Sequence, residues 1–222
     1  MRFCIIRTVL CGHTIDLYLL HSFLTTYISE ERRKKAMKPH IRVLGIDDGP
    51  FTFARKRCTF AGVMVRLPAY VEKVAVSNVG VDGADSTDKI MEMVEQNRWG
   101  KLLHAILLDG AALAGFNIVD IDGLYEITGV PVITVTSERP DNESIGAALR
   151  HHFEDWQERY HMLASREVHG ISAGDGRLYV SFVGTDLKGA KEVVRGSIIR
   201  GHTPEPLRLA HMIARAVERS NR

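Results

Sequence analysis

Two short apolar segments each end in an aspartate, and this feature most restricts how the chain can fold. They are residues 42–49, Arg-Val-Leu-Gly-Ile-Asp-Asp-Gly, and residues 105–110, Ala-Ile-Leu-Leu-Asp-Gly. Such segments favour buried β-strands. Neighbouring strands lie about 5 Å apart, so acids at adjacent strand ends can share one divalent cation. Asp-Gly is also a common turn dipeptide, so a turn explains either aspartate equally well when each segment is taken alone.

The order of predicted elements indicates the fold class. We expect an antiparallel start, with a strand and then a hairpin joined at residues 67–69, followed by helix–strand crossover units and a helical end. The predicted strands are 41–47, 58–67, 70–81, 103–108, 131–135, and a second hairpin at 167–172 and 178–183. The predicted helices are 85–99, 117–128, 142–166 in one or two pieces, 187–200 and 204–220.

This order is that of a ribonuclease H-like α/β fold, a five-stranded mixed sheet flanked by helices. Nucleases and transferases with that fold carry carboxylates at the ends of the first and fourth strands. Asp47 and Asp109 fall at those two places. Their joint position favours a cation site over two unrelated turns.

Charge and cysteine content indicate neither a generally basic protein nor one built on a disulfide framework. The formal net charge is +2, but the first 36 residues hold six basic and three acidic residues, so the remainder has a net charge of −1. Nucleic acid would therefore be bound through a local patch rather than through bulk charge. Three cysteines without a CxxC spacing indicate a reduced, cytoplasmic protein, and no apolar run is long enough for a membrane span.

The first 36 residues differ from the rest of the chain. Residues 9–28 are mildly apolar but contain two histidines and an aspartate, and a charged stretch at 30–35 follows. They form a poor signal peptide. We interpret Met37 as the natural start, residues 1–36 as an extension outside the fold, and residues 37–222 as one domain. A helical extension and a weak membrane anchor are the alternatives.

Several motifs give the chain a resemblance to a known family. Residues 201–211, Gly-His-Thr-Pro-Glu-Pro-Leu-Arg-Leu-Ala-His, resemble the C-terminal run of endonuclease V. Residues 46–47 resemble its first catalytic strand, residues 107–110 its second aspartate, and residues 129–135 the strand that follows. The run Gly-Ile-Asp-Asp-Gly-Pro-Phe at 45–51 and the segment 82–85 resemble a smaller sister family, endonuclease dU. The resemblance covers residues 41–219. It implies Mg²⁺- or Mn²⁺-dependent cleavage of DNA near a deaminated base, with deoxyuridine as the expected lesion.

The chain departs from the endonuclease V pattern at two positions. The glutamate at the entrance to the first long helix is absent, and Asp85 is the best-placed substitute, with Asp82 and Asp88 nearby. A Gly-His pair is replaced by Gly184-Thr185, with Asp186 next. The tyrosine-containing loop that probes the lesion is not evident either.

The candidate site residues follow from these considerations. Asp47, Asp109 and Asp85 are the candidate catalytic residues, although helix capping explains Asp85 equally well. Asp47, Asp109, Asp48 and Asp186 are the candidate metal ligands, with a loop cap as the alternative for Asp48 and a helix cap for Asp186. The basic run of residues 55–57 is the candidate contact to the nucleic-acid backbone: Arg55, Lys56 and Arg57.

The C-terminal run has structural explanations of its own. Pro204 suits a first helical turn, and Glu205 and Arg208 have the spacing of an ion pair on one helix face. His202 and His211 are expected as surface or packed histidines. Two functions from other classes stay open: a nucleic-acid-binding protein that has lost catalysis, and a phosphoryl-transfer enzyme on a small substrate.

Overall fold

The computed structural model describes residues 41–220. Across these residues the strands are β1 (Arg42–Asp48), β2 (Arg57–Arg66), β3 (Tyr70–Gly80), β4 (Ala105–Asp109), β5 (Ala112–Leu113), β6 (Asn117–Ile118), β7 (Val132–Thr136), β8 (His169–Ala173) and β9 (Gly176–Val183). The helices are α1 (Ser86–Gln96), α2 (Ile121–Thr128), α3 (Asn142–His152), α4 (Trp156–Ala164), α5 (Leu187–Gly196) and α6 (Glu205–Ser220). The predicted extension at residues 1–36 lies outside the described residues.

The main sheet has the strand order β3-β2-β1-β4-β7-β9-β8. β1, β4 and β7 are parallel, and β2, β3, β9 and β8 pair antiparallel to their neighbours. The first five strands in this order form the predicted mixed sheet. The prediction of five strands was too low, because β9 pairs with the free edge of β7 and extends the sheet to seven. The pairing buries the apolar residues Leu178 and Val180 of the predicted second hairpin.

Helices cover both faces of this sheet. Alternate residues of a strand point to opposite faces, so Leu44 and Ile46 pack on the side of α1 and α2, and Val43 packs on the side of α5 and α6. Gly45 allows α6 to approach β1 closely, since a Cβ there would lie 2.3 Å from the carbonyl carbon of Pro206. This close approach fixes the height of α6 above the end of β1.

The structure also corrects one predicted helix boundary. The helix predicted over residues 117–128 begins only at Ile121, after the Asp120 side chain accepts hydrogen bonds from the first helical turn. Asn117 instead belongs to a small hairpin of β5 and β6, where its buried side chain contacts Gly80 and Asp85. Hydrogen bonds to a distant segment therefore outweigh the local helical pattern.

No helix within residues 41–220 combines the length and the hydropathy needed to cross a membrane.

Candidate active site

Asp47 and Asp109 lie at matching positions at the ends of two adjacent parallel strands. Ile46 pairs with Leu108 in the register of β1 and β4, and the two aspartates are the next residues on each strand. Strands at this spacing hold their Cα atoms about 5 Å apart, and residues in register point to the same face. That face is the one covered by α6. The sequence pattern predicted this juxtaposition.

Burial and mutual repulsion disfavour ionisation of these carboxyl groups. Asp47 is only 5% exposed, and its pKa is raised to about 8 by burial and by the charges of Asp109 and Asp48. Asp109 is exposed at the rim, yet the surrounding protein still raises its pKa, and His211 opposes that shift. A positive charge near either carboxyl group would therefore favour its ionised form.

His211 completes the cluster from the helix that covers this face of the sheet. It lies on α6, and its Nδ1 atom is 2.9 Å from Oδ2 of Asp47. When Asp47 is ionised the ring N–H donates this hydrogen bond, and when Asp47 is protonated its hydroxyl donates to the ring. Half of the side chain stays exposed, so the imidazole can also reach a bound molecule.

The sequence analysis did not select His211. It is the last residue of the run at 201–211 that carried the family resemblance, and this was the available signal. The run also contains the predicted ion pair, since Arg208 donates to Glu205 over 2.6 and 2.8 Å. His202 lies 3.4 Å from Asp175 and is not part of the cluster.

Asp48 points to the opposite face of β1 from Asp47. Its Oδ2 atom accepts a hydrogen bond from the backbone N–H of Ala114, in the turn between β5 and β6. Burial raises the pKa of Asp48, whereas this hydrogen bond lowers it. This contact joins the end of β1 to the β5–β6 turn, and it is not the predicted cap of the loop at residues 49–50.

Asp85 stands at the same edge of the sheet, beyond the end of β3. Its Oδ1 atom accepts hydrogen bonds from the N–H of Gly80 at 2.9 Å and from the amide of Asn117 at 2.7 Å. Burial acts to raise the pKa of Asp85, but these bonds and the charge of Arg57 outweigh it and lower the pKa. The side chain makes no capping bond to α1, so it joins β3 to the β5–β6 hairpin.

The structure does not bring Asp186 to this cluster. β9 runs antiparallel to β7, and Val183 near its end pairs with Val132 at the start of β7. Asp186 therefore lies at the opposite edge of the sheet from Asp47 and Asp109. There it caps α5 by accepting a hydrogen bond from Gly189 N–H at 2.7 Å.

The basic run after β1 is divided among different contacts. Arg55 forms an ion pair with the buried Glu218 of α6, and Arg57 donates to the carbonyl of Asn78 at 2.7 Å. Lys56 is exposed, and no ion pair forms with it within residues 41–220. Lys56 and the exposed part of Arg57 thus remain available to a phosphate.

Two cavities open beside Asp109. One, of about 530 Å³, lies between the ends of β4 and β7, the middle of β9, and helices α3 and α4. The other, of about 120 Å³, lies toward the start of α6 and is lined by His202 and Pro204. Asp109 is therefore open to a ligand larger than water.

The donor set at this edge suits a hard cation. Within the described part of the chain, no three His, Cys, Asp or Glu side chains are arranged as a complete metal site. Mg²⁺, however, is commonly held by one or two carboxylates together with waters and substrate phosphates. Asp47 and Asp109 provide two adjacent carboxylates whose pKa values are raised in the absence of a cation. The residues fit a cation that binds together with a phosphate.

Nearly all of the described residues match the model of one family. The model of the family described as endonuclease dU matches residues 39–218. The chain belongs to the endonuclease dU family. A protein named UPF0215 protein from Thermococcus gammatolerans is 43% identical over 187 residues, which cover 82% of this chain and 95% of the relative. One from Methanothermobacter thermautotrophicus is 40% identical over 194 residues, covering 86% and 95%.

Solved structures show the same architecture. A protein of unknown function from Archaeoglobus fulgidus is 33% identical and superposes with a TM-score of 0.72, covering 80% of this chain and 98% of that one. Endonuclease V from Ciona intestinalis, crystallised with an inosine-containing DNA, has a TM-score of 0.58 at 15% identity and covers 90% and 100%. The endonuclease dU chain thus has the ribonuclease H-like fold of endonuclease V and belongs to a nuclease family.

Proposed function

We propose that this endonuclease dU family member is a cation-dependent endodeoxyribonuclease that cuts DNA near deaminated bases, with deoxyuridine as the principal lesion. One observation carries the proposal: Asp47 and Asp109 stand in register at adjacent strand ends, with His211 bonded to Asp47. Family membership supports the nuclease activity. The lesion rests on the family description alone.

Asp47 and Asp109 would hold Mg²⁺ or Mn²⁺ through their carboxylates. A bound cation of this kind neutralises charge on a phosphodiester and lowers the pKa of a water molecule. The protein's own residues control when this cation can bind. The raised pKa values of the two aspartates disfavour both being ionised at once, so cation binding and proton release from this pair are coupled.

His211 provides a second chemical group at the same place. Its ring is fixed through Nδ1 by Asp47, while half of the side chain stays exposed. An imidazole held in this way can accept a proton from water or donate one to a leaving oxygen. Asp47 therefore has two roles: it is a ligand and it also orients His211.

The proposal is tested by cleavage of otherwise identical duplexes that carry one uracil, one hypoxanthine or no lesion. Each duplex is incubated with Mg²⁺, with Mn²⁺ and with excess chelator. We expect strand cuts near uracil in the presence of either cation and none with chelator. Cleavage that persists in chelator would show that the reaction does not require a divalent cation. Equal cleavage of the undamaged duplex would reject lesion specificity.

A binding protein without catalysis is the competing outcome of the same experiment. The chain has no glutamate at the entrance to the first long helix, where endonuclease V has one, and the best-placed substitute, Asp85, accepts two hydrogen bonds from the protein through its Oδ1 atom. If the protein binds uracil-containing DNA in Mn²⁺ but cuts none of the duplexes, the domain is a binding module rather than a nuclease.

A further inference from the structure

An aromatic side chain stands exposed on the loop that follows Asp48. Phe53 lies in the segment 49–56 between β1 and β2 and is 79% exposed. This is the highest exposure among the large apolar side chains that are exposed within residues 41–220. A single exposed apolar residue is ordinary on a protein surface, so its support and its position decide what it means.

The ring of Phe53 is held by the protein rather than left on a loose loop. Phe51 contacts it edge-to-face, with ring centroids 5.8 Å apart and an interplanar angle of 88°. Phe51 itself packs against the hydrophobic core. The turn that displays Phe53 is closed by a hydrogen bond of 2.9 Å from the N–H of Arg55 to the carbonyl of Thr52.

Both ends of the loop are tied to the domain. Gly49 N–H donates to the Thr59 carbonyl over 2.8 Å, and a Cβ at Gly49 would lie 2.9 Å from the carbonyl oxygen of Ala214 on α6. At the other end, Arg55 pairs with the buried Glu218. These contacts remove much of the conformational freedom that a loop would otherwise lose when it binds a ligand.

The aromatic pair belongs to the edge of the sheet that carries the acids. The Phe51 ring would lie 3.7 Å from a Cβ placed on Gly115. The neighbouring residue Ala114 donates its N–H to Asp48, which directly follows Asp47 at the end of β1 and points to the other face of the sheet. The exposed Lys56 follows three residues after Phe53 on the same loop.

We infer that Phe53 is a stacking platform for an unpaired DNA base next to the cleavage site. The inference rests on the proposed function and names a contact that the acids and His211 cannot make. Every base has a π-face, so an aromatic ring binds a splayed strand whatever its sequence. A ring that is already held by Phe51 and a closed turn can stack with little further loss of freedom. Lys56 places a positive charge where the adjoining phosphate would pass.

Binding measurements in chelator test the contact without cleavage. The ligand is a single-stranded DNA oligonucleotide that carries one deoxyuridine. We expect Phe53→Ala to weaken binding by about 5- to 100-fold, the loss typical of one stacked base, with an unchanged melting temperature. Phe53→Tyr should bind like the original protein, and Phe53→Leu should bind like the alanine variant. The matched control is Ile127→Ala, an exposed apolar residue in the last turn of α2 near the opposite edge of the sheet.

Fluorescence gives a signature that a purely structural role would not produce. In Phe53→Trp the new indole should be quenched when the oligonucleotide binds, and in Ile127→Trp it should not. If the strand binds and the indole at position 53 keeps its emission, or if Phe53→Ala binds as tightly as the original protein, the inference is overturned while the nuclease proposal stands. If the original protein neither binds nor cuts DNA, the nuclease proposal falls and the inference falls with it.

Discussion

Glu218, in the last turn of α6, accepts two hydrogen bonds from Thr59 on β2. Its Oε2 atom lies 2.6 Å from the threonine hydroxyl and 3.1 Å from the backbone nitrogen, and Oε1 pairs with Arg55. Glu218 is 4% exposed. The end of the helix that carries His211 is thereby fixed to β2 and to the loop that displays Phe53.

This relationship predicts a pH-dependent stability. The Thr59 hydroxyl, and then its N–H and Arg55, lower the pKa of Glu218 against the opposing effect of burial. A lowered pKa means that the ionised form is favoured in the folded state. The Glu218 carboxylate therefore contributes to the free energy of unfolding at pH values above the ordinary glutamate pKa of 4.5. This contribution is lost as the pH falls through the pKa of Glu218 in the folded state.

We expect Glu218→Gln to lower the free energy of unfolding by about 1–3 kcal/mol at pH 7, because it removes the charge from the acceptor of two hydrogen bonds from Thr59 and from the partner of the half-exposed Arg55. The difference from the original protein should narrow below about pH 4. Urea unfolding at several pH values measures it. Glu205→Gln is the control on the same helix, and loss of its surface pair with Arg208 should cost at most about 1 kcal/mol. A Glu218→Gln deficit that stays constant with pH would contradict the assignment.

His211→Ala should reduce cleavage by about 100- to 10,000-fold, the usual contribution of a general acid or base. Folding should change little, since the side chain is half exposed. Single-turnover cleavage of a uracil-containing duplex at saturating protein separates the chemical step from binding. The control is His104→Ala, an exposed histidine just before β4, at the opposite edge of the sheet from Asp47. Equal losses in the two variants would remove His211 from the mechanism.

Asp47 should make the cation-free protein less stable as the pH rises. Burial and the charges of Asp109 and Asp48 raise its pKa to about 8, so the folded state favours the protonated form. The free energy of unfolding should then decrease between about pH 4 and about pH 8 and level off above. Melting temperatures in chelator should show this decline in the original protein and a flatter curve in Asp47→Asn. Added Mn²⁺ should raise the melting temperature at pH 8 only when Asp47 is present.

The domain boundary leads to a fourth prediction. The family match begins at residue 39 and the first strand at Arg42. A chain that starts at Met37 should therefore unfold at the same temperature and denaturant concentration as the full chain. Parallel thermal and urea unfolding of the two chains measure this. A marked drop in melting temperature would show that residues 1–36 contribute to the fold.

The sequence predicted the features of the fold that local pattern determines. Apolar runs and turn residues located the strands, and the element order placed Asp47 and Asp109 together because parallel strands end at one edge. Pattern alone could not show that β9 runs antiparallel beside β7, and this direction is what separates Asp186 from the cluster. Nor could it show that α6 crosses over Gly45, which brings His211 to Asp47 across 164 residues of chain.

The contrast between Asp109 and Asp186 is the strongest test of the site. Asp109 ends one strand and Asp186 follows another, and both were predicted as ligands, but they lie at opposite edges of the sheet. An asparagine keeps the size and most hydrogen bonds of an aspartate and removes the charge that a hard cation requires. Asp109→Asn should therefore lower cation-dependent cleavage by orders of magnitude with little change in melting temperature.

Asp186→Asn should leave cleavage nearly unchanged, since its side chain only caps α5 and asparagine is an equally good cap. Affinity for DNA in chelator should stay the same or rise in Asp109→Asn, because one negative charge near the phosphates is gone. Cleavage rates and chelator binding, measured side by side for the two variants, complete the test. If both substitutions abolish cleavage, or if neither does, the ligands are not those at the ends of β1 and β4.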